Sequence, residues 1–180
     1  MRIVIATPLY PPDVAEPAPY VKELAKRLSS DHEITIVVYG HLPEKIEGVS
    51  IIVVTKRRLL PLRLISFTKA LFRASQKADI LYVMNGPSVE LPAGLVSFFT
   101  NRPLIIHLGD ERAHENAKSR RTLSAVEQFA FSHAQEIVTD RPLQRPEILP
   151  FVAPPTAALA AYETSWQVHV AKLNSLFSHA

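Results

Sequence analysis

Residues 2–20, RIVIATPLYPPDVAEPAPY, decide the fold. The run Arg2–Thr7 is apolar on both faces, the mark of a strand covered from both sides. From about residue 17 to 29 the period changes, and Tyr20, Leu24, Ala25 and Leu28 fall on one face of a helix. The turn between them is unusual. Residues 7–20 contain five prolines, two carboxylates (Asp13 and Glu16) and no glycine. A strand-to-helix turn of this kind ordinarily cradles a phosphate, and glycine is what lets the backbone approach it.

The same alternation continues outward. EITIVVY (33–39) and VSIIVVT (49–55) read as strands joined by GHLPEKIEG (40–48), and a helix is expected from about Leu60. DILYVM (79–84) leads to a short helix, SVELPAGLVSFF (88–99), with Pro92 expected near its first turn, where proline is tolerated. PLIIHL (103–108), a loop, a helix near 117–133, the strand EIVT (136–139) and a last short strand, EILPF (147–151), follow. Strands apolar on both faces and separated by helices predict an α/β fold. The expected form is one doubly wound, mainly parallel Rossmann-like sheet with helices on both faces. Its ligand site is expected beyond the strand C-termini, near the first and fourth strands. The loops meeting there are Thr7–Glu16, Asn85–Ser88, Leu108–His114 and Thr139–Arg141. Prolines over 142–155 mark a boundary, giving a domain over 1–155 and a C-terminal helix over 156–180 that packs back on it. In that helix Leu159, Tyr162, Trp166, Val170, Leu173 and Phe177 form one stripe.

Composition narrows the classes. The 180 residues are 47% hydrophobic and 21% charged, ordinary for a globular domain, and contain no cysteine, which excludes disulfide and thiolate chemistry. With no apolar leader and no run long enough to span a bilayer, a cytoplasmic location is expected. The net charge of +3 is uneven, because residues 56–77 hold seven Lys/Arg and no acid while the remainder holds 13 bases and 17 acids. This local basicity argues against a nucleic-acid coat. On a helix from Leu60, the core face would hold Leu60, Leu64, Phe67 and Leu71. Arg63, Lys69, Arg73 and Lys77 would fall opposite, with Ile65 and Phe72 on the flank. That face is either simply solvated or, with Arg57 and Arg58, a surface for anionic lipid.

Chemical motifs are mostly absent. The first turn lacks glycine and the second strand ends YGH, so no dinucleotide site is expected, and there is no P-loop. Ser88 lacks the glycine spacing of a nucleophile elbow. HLGDERAHENA (107–117) crowds His107, Asp110, Glu111, His114 and Glu115 together, but in no zinc spacing, so no metal is expected. These side chains suit a loop that accepts hydrogen bonds from hydroxyls or supplies a general base. Equally, Asp110 and Glu111 would cap the next helix.

The opening 38 residues resemble the family 4 glycosyltransferases. The residues that carry this are Thr7, Pro8, Tyr10, Pro11 and Pro12 (T-P-x-Y-P-P), then Tyr20, Glu23, Leu24, Ala25 and Leu28, then His32 to Val38. ADILYVMNGP, RPLIIHLGDE and HAQEIVTD are weaker echoes, and YETSWQVHVAKLNSLF is similar to the helix that closes such enzymes. The resemblance covers about residues 1–152. It implies the acceptor-binding N-terminal half of a GT-B enzyme that transfers a hexosyl group without a metal or other cofactor. Two departures accompany it. The donor-binding half and its paired glutamates have no counterpart in the sequence. Ala15 and Glu16 replace the two glycines that approach the donor diphosphate, and a carboxylate there repels phosphate. The family's cleft histidine falls on Gly109, two residues after His107.

The resemblance therefore implies the acceptor-binding subunit of a split glycosyltransferase, inactive until a separate donor-binding chain joins it. Its catalytic candidates are His107, Asp110 and Glu111, and its acceptor-binding candidates are Tyr10, Asp13, Glu16, Asn85 and Asp110. Arg57, Arg58, Arg63, Lys69 and Arg73 would meet an anionic membrane at its inner face, where a sugar or lipid-linked acceptor would lie. The alternative is a non-catalytic scaffold or regulator that keeps the fold for protein contacts. An excised or engineered piece of a larger enzyme is the third reading.

Overall fold

A computed structural model describes residues 1–109, 111–146 and 156–180, with residues 111–113 and 117 described by backbone only. The expected strand EILPF and the candidate Asp110 lie outside the described residues. Six strands form one all-parallel sheet: β1 (Arg2–Thr7), β2 (Glu33–Tyr39), β3 (Val49–Val54), β4 (Ile80–Met84), β5 (Leu104–His107) and β6 (Glu136–Val138), in the order β3-β2-β1-β4-β5-β6. The direction of winding reverses between β1 and β4, as the sequence predicts. Residues 1–139 form one compact unit and 140–180 a second.

Strand register divides the first unit into two layers. Ile5 pairs with Tyr82, Ile36 and Ile5 pair across β1–β2, and Met84 pairs with His107, so these side chains share one face. Helix α1 (Ala18–Leu28) covers that face and buries Tyr20, Val21, Leu24 and Leu28. The alternate positions, Val4, Ala6, Val37, Leu81, Val83 and Ile106, face the opposite layer. There they join Phe67 and Leu71 of α2 (Leu60–Ser75), Val89, Ala93 and Val96 of α3 (Pro87–Thr100), and Ala130 of α5 (Arg121–His133). The doubly wound α/β fold with helices on both faces is therefore present. Gly94 sets how closely α3 and α5 approach, because a Cβ there would lie 2.8 Å from the Phe129 ring.

Three details differ from the sequence reading. The segment 111–133 is two helices, α4 (Glu111–Ser119) and α5, separated by Arg120 in extended conformation. Pro92 lies inside α3, beyond its first turn. Proline has no amide for the carbonyl four residues back, which here is Ser88. The Tyr39 hydroxyl donates to that carbonyl at 2.9 Å, so the partly buried acceptor is satisfied from β2. We expect Tyr39→Phe to cost about 1–2 kcal/mol by orphaning it, read as a lower midpoint in urea with an unchanged slope.

The third difference is the phase of α2. Leu60 is exposed instead of buried. Arg63 is not on the outer face: it sits at the flank with its guanidinium 5.4 Å from the centre of the Tyr39 ring. Phe67 stacks on the same ring at 4.3 Å, and these contacts, made from the end of β2, set the helix rotation.

In the second unit α6 (Thr156–His179) buries Tyr162, Trp166, His169, Leu173 and Phe177. The Asp140 carboxylate accepts from His169 Nδ1 at 3.0 Å and Lys172 Nζ at 2.7 Å. Burial pushes that carboxyl up, but the bonds from Lys172 and His169 outweigh it and hold it below its usual range.

Candidate functional site

The first turn is built against phosphate. Pro17 caps α1 and Pro19 stands in its first turn, so two amides that would face an anion do not exist. A third, that of Ala18, is already bonded to the Ala15 carbonyl at 2.9 Å. Glu16 is exposed beside them.

What the turn does form is one wall of a cleft of about 340 Å³ at the C-terminal ends of β1, β2 and β3. Tyr10 and Asp13 come from the β1 loop, Tyr39 and His41 from the end of β2, and Thr55, Lys56 and Arg57 from the end of β3. The walls are tied together. The Glu44 amide donates to the Pro11 carbonyl at 3.1 Å, and Lys22 pairs with Glu44 at 2.5 Å. Asp13 accepts from Lys56 Nζ at 3.1 Å across the opening. The Tyr10 side chain is 3% exposed, and its buried hydroxyl has no hydrogen-bond partner among the described residues. Burial, helped by the charge of Glu44, pushes that phenol up to about 12, so it stays a neutral donor. Over a floor of buried Tyr10 and Tyr39, the cleft thus offers a carboxylate, an imidazole, the Thr55 hydroxyl and two cations within one opening.

Of the acceptor-binding candidates, the cleft gathers Tyr10 and Asp13. Glu16 is not in its lining. Asn85 is buried beyond β4, where its amide donates to the His107 carbonyl at 3.0 Å. His41, Tyr39, Thr55 and Lys56 were not singled out in the sequence. They stand at the ends of β2 and β3, whereas the crevice rule draws attention to the switch point between β1 and β4.

His107 is fully buried under α1, its ring stacked on Tyr20 at 4.6 Å and 10°. Tyr82 lies 6.0 Å away on the same face, and the two tyrosine hydroxyls share a 2.8 Å hydrogen bond. A Cβ on Gly109 would meet Met84 Cε at 2.6 Å and His107 Nδ1 at 2.9 Å. The thioether can swing aside, but the stacked ring cannot, so glycine at 109 goes with histidine at 107. Of Glu111 only the backbone is described, at the start of α4.

On the opposite face lies a buried acidic pair. Glu90, 1% exposed, turns back to accept the Gly86 amide at 2.9 Å, while its other oxygen is buried without a partner among the described residues. Glu127 on α5 holds His114 Nδ1 of α4 at 2.6 Å. Burial, reinforced by Glu127 and opposed by the Gly86 amide and His114, pushes the Glu90 carboxyl up to about 7. Among the described residues no cluster of three or more His, Asp or Glu could hold a metal ion.

No protein-family profile matches the sequence, and no curated protein is similar to it. In three dimensions it is similar to the crystal structure of Anabaena Alr3699/HepE in complex with UDP, with 17% identity and a TM-score of 0.55 over 92% of this chain and 41% of that one. The same protein with UDP and glucose gives 16% and 0.55 over the same shares. A putative UDP-N-acetylglucosamine 2-epimerase from Listeria monocytogenes gives 16% and 0.51, over 75% of this chain and 38% of that one. The fold is that of a GT-B-type domain. The chain spans about two fifths of the length of these proteins.

Proposed function

We propose that this chain is the acceptor-binding half of a glycosyltransferase of family 4 type. The cleft at the ends of β1, β2 and β3 would hold a hydroxyl-rich acceptor. The observation that carries this is the pairing of a phosphate-poor α1 terminus with a cleft of mixed donors and acceptors. Sugar hydroxyls both donate and accept, so they suit the Asp13 carboxylate, the His41 imidazole and the Thr55 hydroxyl together. A diphosphate would need backbone donors that Pro17 and Pro19 remove. The sugar nucleotide is then bound by a donor-binding half outside these residues, and this chain alone transfers nothing.

Calorimetric titration tests the reading, with methyl glucoside, maltose, myo-inositol and glucose 1-phosphate set against UDP-glucose. Saturable heat is expected from a saccharide and none from UDP-glucose. Asp13→Ala should weaken the saccharide about fivefold, the worth of one hydrogen bond. The Asp13–Lys56 pair is largely exposed, so the variant's melting temperature should hold. Binding of UDP-glucose with no saccharide bound would overturn the reading. Silence with every compound would favour the scaffold.

A further inference from the structure

We propose that the outer face of α2 docks on an anionic lipid bilayer. The proposal stands on the surface of α2 and does not depend on what the cleft binds. The exposed side chains of this helix are Leu60, Pro61, Leu62, Ile65, Lys69, Phe72 and Arg73, with Leu62 54%, Ile65 63% and Phe72 41% exposed. Four of the seven are large and apolar. A helix that merely meets water puts polar groups there, so simple solvation does not account for this face. The buried side chains Phe67, Leu71 and Ser75 anchor α2 to the sheet, and Ile65 stands mostly outside that packing.

Charge identifies the occupant. Residues 56–77 hold seven bases and no acid, in a chain whose other residues are net acidic. Bases interleaved with exposed Leu, Ile and Phe on one helix face are the composition of an interfacial helix, whose apolar side chains enter the headgroup boundary while the cations meet lipid phosphates. Leu59 extends the apolar surface at 76% exposure. Two residues earlier, Arg57 lines the cleft, so the docking face begins at the cleft's edge. Among the described residues no helix is long and apolar enough to cross a membrane.

Co-sedimentation of the full 180-residue chain with vesicles provides the test. With 30% phosphatidylglycerol in phosphatidylcholine the chain should pellet, and with pure phosphatidylcholine it should not. Lys69→Gln with Arg73→Gln should weaken binding more than tenfold, at roughly fivefold per charge. Ile65→Ser with Phe72→Ser should weaken it comparably while lowering the melting temperature only slightly, since Ile65 is largely and Phe72 partly exposed. Failure to pellet with anionic vesicles overturns the proposal. So does binding that survives loss of both apolar side chains, because adsorption would then be purely coulombic. Concentration-dependent dimerisation abolished by Ile65→Ser with Phe72→Ser, without vesicle binding, assigns the face to a second copy instead.

Discussion

Glu90→Gln should flatten the dependence of stability on pH between about 5 and 7.5. The folded chain holds the Glu90 carboxyl at about 7, against 4.5 in its ordinary state. Between those values the native state binds more protons than the unfolded chain, so stability falls as pH rises and the loss is complete above about 7. The shift corresponds to about 3 kcal/mol, since each pH unit of displacement is worth roughly 1.4 kcal/mol. The cause is burial first, with Glu127 adding to it. Glutamine keeps an oxygen for the Gly86 amide and removes the charge. Urea titrations at pH 5, 6, 7 and 8 should show the wild-type midpoint falling and the variant's holding nearly level. Parallel curves would mean that Glu90 is ionised at neutral pH and that the acidic pair is relaxed in solution.

His107→Ala should be among the most damaging single changes, costing about 3 kcal/mol or more by leaving a ring-sized void between Tyr20, Tyr82 and the sheet. For a chain of this size that lowers the melting temperature by on the order of 10 °C. His107→Phe should recover most of it, because a ring of similar size can keep the stack on Tyr20. The pair of variants separates packing from chemistry. If His107 acted as a base in a reconstituted transferase, phenylalanine would restore stability and leave turnover near zero. If the ring serves only the core, both recover together.

The sheet was legible because parallel strands buried on both faces leave an unbroken apolar signature, and Arg2–Thr7, Glu33–Tyr39 and Ile80–Met84 all carry it. The α4–α5 break was not, since Arg120 is neither glycine nor proline and the periodicity on either side does not reveal the interruption. Pro92 misled for a definite reason: its cost is removed by Tyr39, fifty-three residues away in sequence, and no local rule sees that hydroxyl. The α2 phase failed in the same way. Leu60 fits the core stripe by spacing, yet contacts made by Arg63 and Phe67 with Tyr39 fix the rotation that exposes it. As for the cleft, Tyr10 and Asp13 were visible through the proline turn. His41 and Thr55 were not, being ordinary residues at strand ends that acquire meaning only when β1, β2 and β3 lie side by side.

The central claim is that the cleft serves an acceptor and not a nucleotide. The most direct measurement is a ¹⁵N chemical-shift titration of the full chain with the saccharide panel and, separately, with UDP. Saturable shifts at Tyr10, Asp13, His41 and Lys56 with a saccharide, and none around Ala15–Tyr20 with UDP, are the predicted result. Saturable UDP shifts over Ala15–Tyr20, with the cleft silent to every saccharide, would contradict it.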